Sequence, residues 1–153
     1  MNIAIKKALK VLRTYGLLCY IPDFQQISTI IYKENIIFSR FPFEGRLKER
    51  YICTNDNIAV ITIDEGVSSC ELKHLTTHAL GHHFLHKGNY AFINDIVLDK
   101  QEYQAEEFAA VLLVPPPALK KIKPPTIFEL AGECDIPIHL AERRMKIFER
   151  YGV

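Results

Sequence analysis

The segment His78-Ala-Leu-Gly-His82 restricts this chain more than any other, because it sets two histidines four residues apart inside a stretch patterned for one helix. Ser68 followed by Glu71 makes a capping box. Leu72, Leu75 and Ala79, with the row Thr76, Leu80 and Phe84, then recur at helical intervals up to a stop at Gly88. On such a helix His78 and His82 differ by only about 40° in azimuth and share one face. Both imidazoles can therefore reach a single metal ion.

The spacing is that of the zinc-protease pattern H-E-x-x-H. A catalytic Zn²⁺ takes three protein ligands and a water whose pKa falls toward about 7, and the glutamate beside the first histidine accepts that water's proton. This chain has Ala79 at that position, so it keeps the two histidine ligands and lacks the general base. Losing a general base costs about 10²- to 10⁴-fold in rate. By itself H-x-x-x-H is a weak signal, since two histidines also meet on a solvated helix face.

A third ligand must come from elsewhere. His86 lies about 12 Å along a straight helix from His78, too far to share an ion, and reads as a carboxyl-terminal histidine favoured by the helix dipole. His83 projects about 100° away from His82, toward core or solvent. Asp99 can cap a further helix running to about Val114, where Pro115-Pro116-Pro117 breaks it. On that helix Glu102 and Glu106 share a face beside Ala105, Phe108, Ala109 and Leu112. Two like charges there call for a cation. Zinc would supply it: Glu102 would bind the metal and Glu106 would hold the free ring nitrogen of a histidine. The plain alternative has Glu102 completing a capping box with Asp99 and Glu106 solvated.

The stretch from His74 to His86, with the core LTTHALGHHFLH, precedes Glu102-Tyr-Gln-Ala-Glu-Glu-Phe-Ala-Ala-Val-Leu-Leu-Val-Pro115. Together they resemble the ImmA/IrrE metallopeptidases, which show H-E-L-G-H and then E-x-x-A, a polar residue, x-F-A-A, an apolar run and proline. The two matches cover about a quarter of the chain. The resemblance implies a small zincin-like metallopeptidase domain with zinc on His78, His82 and Glu102 and with Glu106 at the polar supporting position. It also implies a substrate, a helix-turn-helix transcriptional repressor whose cleavage releases phage, mobile-element or stress genes. Ala79 departs from the family at the general base. It reads as an inactivated version of a repressor-cleaving enzyme. The alternative is a zinc-binding module that holds the repressor or DNA without cutting. No oxyanion stabiliser is assigned; Tyr90, Tyr103, His139 and Arg40 are the candidates, each also at home in a structural role.

The rest of the chain supplies context. A first helix from about Ile3 to Tyr15 and a short one after Pro22 precede strands at Asn35 to Phe41, Tyr51 to Cys53 and Ile58 to Ile63, with a turn at Asn55 to Asn57. These predict a small antiparallel sheet with a hairpin, and a loop of about ten residues after Gly88. The fold class is α+β, with a metallopeptidase domain over 1–114 and a helical segment over 115–153 packed on it. In that segment Thr126 and Glu129 start a helix, Asp135-Ile-Pro137 turns, and Ile138 to Arg150 carries Arg143, Arg144, Lys146 and Arg150 in a helix-turn-helix-like layout. Interspersed Glu133, Asp135, Glu142 and Glu149 and a net charge of +1 argue against DNA binding. Lys120, Lys121 and Lys123 among prolines read as a solvated linker. The four cysteines, widely spaced with no C-x-x-C, read as small apolar packers in a reducing cytoplasm. Neither a secretory leader nor a run of 18 apolar residues is evident, so no membrane span is expected.

Overall fold

Asn2, whose side chain accepts the amide of Ile5, starts helix α1 (Ile3–Thr14), and Asp23 with Gln26 forms a capping box for α2 (Phe24–Lys33). The computed structural model describes residues 1–92, 99–122 and 126–153. Strands β1 (Ile36–Phe41), β2 (Glu49–Cys53) and β3 (Ala59–Asp64) follow, then α3 (Ser69–Leu85), β4 (Asn89–Phe92), α4 (Lys100–Leu113), α5 (Pro116–Lys121), α6 (Ile127–Cys134) and α7 (Ile138–Tyr151). The molecule is a mixed α+β fold. Among the described residues no helix is long and apolar enough to cross a membrane.

The sheet order is β1-β3-β2-β4, and it is mixed rather than antiparallel. β2 and β3 form the expected hairpin around Thr54 to Ile58, with Asn57 at φ 60, where asparagine tolerates the left-handed region. β1 instead runs parallel to β3, pairing Ile36 with Ala59 and Phe41 with Asp64. Two chain reversals separate them, so their directions agree. A two-residue period reveals a half-buried strand but not its neighbour, which is why the antiparallel expectation failed here. Part of the expected loop after Gly88 is strand: β4 pairs with β2, and Cys53 N–H donates to the Gly88 carbonyl at 2.7 Å. The remainder, 93–98, lies outside the described residues.

α4 is the central helix, with α1, α3 and α7 packed around it. Phe108 to Leu113 on α4 and Val114 at its C-cap are wholly buried with Ile5, Ala8 and Leu12 of α1. The approach of α3 to α4 is close. A Cβ at Gly81 would fall 3.0 Å from Ala105 Cα and 3.1 Å from its carbonyl oxygen, so glycine is needed at that crossing. The proline run ends α4, as predicted, and then starts α5, because proline suits the first helical turn. Lys120 and Lys121 thus sit in a helix rather than a linker; Lys123 lies outside the described residues.

Two buried cations tie the last helices to the rest. Arg144 of α7 donates from Nε to the Val114 carbonyl at 2.7 Å and from Nη1 to the Val153 carbonyl at 2.6 Å. Lys73 of α3 donates to the carbonyls of Cys134 and Pro22. Burial pushes both pKa values down, that of Arg144 to about 10. All four cysteines are free. Cys134 packs in the core as expected, whereas Cys19 is exposed.

Candidate metal centre

The capping box at the start of α3 is present in full: Glu71 N–H donates to Ser68 Oγ at 3.2 Å, and Ser68 N–H to the Glu71 carboxylate at 3.4 Å. At the start of α4, Asp99 accepts the Glu102 amide at 2.9 Å. Both caps fix where their helices begin, and α3 and α4 then pack against each other. The result is a row of histidines on α3 facing Glu102 and Glu106 on α4.

Glu102 does not reach back to Asp99. One of its oxygens lies 2.8 Å from His78 Nε2 and the other 3.1 Å from His82 Nε2, while the two Nε2 atoms are 3.2 Å apart. Potential ligand atoms of these three residues lie within 4.8 Å of one another. Ligands about 2.0–2.1 Å from a tetrahedral ion sit about 3.4 Å apart, so the three donors surround a space of the right size for one. Two imidazoles and a carboxylate are a donor set that zinc accepts. The residues present fit the metal.

Glu106 is buried rather than solvated. Its Oε1 lies 2.6 Å from His78 Nδ1 and 2.7 Å from His74 Nε2. His78 is thus held by a carboxylate at each ring nitrogen. His82 is held differently. Its Nδ1 lies 3.2 Å from His86 Nδ1, His86 Nε2 meets Gln104 Oε1 at 3.0 Å, and the Tyr90 ring stacks on the His82 ring at 4.0 Å and 6°.

The electrostatics follow from these pairings. Burial alone would lower the His78 pKa, but hydrogen bonds with Glu102 and Glu106 and the Glu106 charge raise it to about 10. Burial would raise Glu102, yet hydrogen bonds with His78 and His82 bring it to about 2, and Glu106 is held well below the carboxylate range by His74 and His78. His82 shifts down, because its burial outweighs its bond with Glu102. His78 therefore holds a proton that a metal at its Nε2 must displace.

Ala79 is 0% exposed and belongs to the apolar core. Its methyl group offers no proton acceptor beside His78. A different carboxyl group lies nearby. Glu49 shares a face of β2 with Tyr51, whose hydroxyl meets His83 Nδ1 at 2.9 Å, so that face looks onto α3. Glu49 Oε1 is buried with no hydrogen-bond partner, and burial raises its pKa to about 8 despite the opposing charge of His78.

Of the oxyanion candidates, Tyr90 and His139 lie at the cluster. The Tyr90 hydroxyl donates to Gln101 Oε1 at 3.0 Å, and His139 Nε2 is 4.0 Å from Glu106 Oε2. Arg40 serves the carbonyls of Asp64 and Glu65 at the end of the β1–β3 ladder. Tyr103 lies under the Arg143 guanidinium at 4.5 Å, in a groove of about 420 Å³ between α4 and α7 that His139 also lines.

Glu49 and the roles of His74 and His86 emerge only in the folded structure. A signal existed for the histidines: positions 74, 78, 82 and 86 repeat at four, which keeps all four near one side of α3. Nothing in the pattern around Glu49 marks it. No protein-family model matches this chain, and no curated protein matches it.

Proposed function

We propose that this chain is a zinc centre of the metallopeptidase type, akin to the ImmA/IrrE proteins, whose protein substrate is a helix-turn-helix transcriptional repressor. The observation that supports it most is the convergence of His78, His82 and Glu102, with Glu106 gripping the far nitrogen of His78. Bound zinc would polarise the scissile carbonyl and acidify a water. Glu106 fixes the His78 tautomer by accepting a hydrogen bond from its Nδ1–H, and Tyr90 fixes the plane of His82. No side chain at 79 can move a proton. The chain as it stands therefore holds its substrate without turnover, and Ala79→Glu is expected to confer zinc-dependent cleavage of the cognate repressor. An Ala79→Glu protein that keeps its zinc and stays inert would leave a binding module in place of an enzyme.

The orphaned oxygen of Glu49 favours a second reading, in which that carboxyl is the proton acceptor from the sheet side of α3. Slow cleavage by the unaltered, zinc-loaded chain that disappears in Glu49→Gln would establish it. DNA as the partner has less support. Arg144 is buried, Lys146 pairs with Glu142 at 3.0 Å and Arg143 covers Tyr103, so α7 presents no row of free cations to phosphates.

A further inference from the structure

Beyond the triad, a second group of donors meets where α3, α4 and α7 come together. We propose that His74, Glu106 and His139 form a second divalent-metal site, distinct from His78–His82–Glu102, which fastens α7 to the α3–α4 pair. Their potential ligand atoms lie within 4.8 Å of one another. His74 Nε2 is 2.7 Å from Glu106 Oε1, and His139 Nε2 is 4.0 Å from Glu106 Oε2. The His74 and His139 rings meet edge to face with centroids 5.1 Å apart. A distance of 4.0 Å is too long for a hydrogen bond but close to the roughly 3.4 Å between two ligands of one tetrahedral ion.

Two imidazoles and one carboxylate make a borderline donor set suited to Zn²⁺, Co²⁺ or Ni²⁺ rather than Ca²⁺ or Mg²⁺. His74 and Glu106 are buried, whereas the His139 side chain is 44% exposed and leaves a path for the ion. Each ligand comes from a different helix, and His139 stands in the first turn of α7. An ion there cross-links three segments distant in sequence. Glu106 joins the two centres, since its Oε1 also meets His78 Nδ1.

Metal counting tests the site without any substrate. A tag-free chain stripped of metal is dialysed against Zn²⁺ with a weak competing chelator, and bound zinc is measured. Two ions per chain are expected, falling to one in His139→Ala and in His139→Gln, which keeps a polar side chain of similar size. Glu102→Ala is expected to keep one ion, and in that variant zinc should slow amide exchange along α7. Equal zinc in the unaltered and both His139 chains would overturn the second site. Failure of the triad gives a different pattern: Glu102→Ala then matches the unaltered chain, while His139→Ala still loses an ion.

Discussion

Glu106 and Glu49 are each 1% exposed, one on α4 and one on β2, and both elements pack against α3. Their pKa values move in opposite directions, Glu106 well below the usual range and Glu49 up to about 8. Burial penalises the charge of each in the same way. What differs is the answer from α3: two imidazole nitrogens lie within 2.7 Å of Glu106, and no hydrogen-bond donor reaches Glu49 Oε1. One side of α3 is thus finished as a charged network, whereas the other holds a carboxyl whose pKa burial pushes up. For a metal site this contrast matters, since a ligand must give up its proton as the ion binds.

Removing the answered charge should have the largest effect. Glu106→Gln leaves His74 and His78 without their anion, and breaking a buried pair in this way costs about 3–5 kcal/mol. Urea unfolding should register that loss, and zinc affinity at the triad should fall by about 10- to 100-fold, as when a partner supporting a ligand is lost. A Glu106→Gln protein as stable as the original would erase the contrast.

The unanswered carboxyl should show itself through pH. Because the folded pKa of Glu49 lies above its unfolded value, the folded state binds the extra proton, and this group's cost to stability grows as pH rises from about 4.5 to about 8. Glu49→Gln should remove that slope, a change on the order of a few kcal/mol at most at high pH. Thermal melts of the metal-free protein across that range, where His78, Glu102 and Glu106 act on the same carboxyl, would expose the difference. A slope left intact by the substitution would mean that Glu49 is charged in the fold.

The smallest effect probes how the answered side is assembled. Gly81→Ala gains about 1 kcal/mol of helix propensity but drives a methyl group against the Ala105 backbone, with overpacking typically costing about 1–3 kcal/mol. A net loss near 1 kcal/mol with weaker zinc binding is expected. Unchanged zinc affinity would show that the helices can part slightly without moving Glu102 off the histidines.

Much of the site was legible because its parts are local. The caps at Ser68 and Asp99 fix where α3 and α4 begin, and steps of four residues fix that His78 shares a face with His82 and Glu102 with Glu106. No local rule names the partner that meets a face. The parallel pairing of β1 with β3 depends on two reversals and a shared neighbour, and Glu49 becomes an orphan only when β2 lies across α3. His139 reaches Glu106 from α7, 33 residues along the chain, so the second donor group could not be read from spacing.

By itself, then, the sequence determined α3 and α4, their caps and the two donor faces, because these depend on contacts within about one turn of chain. The tertiary structure decided which oxygen meets which nitrogen, that Glu106 serves both His74 and His78, and that one buried carboxyl is answered and another is not. Those outcomes rest on the close crossing at Gly81 and Ala105 and on the docking of α7, which bring together residues far apart in the chain.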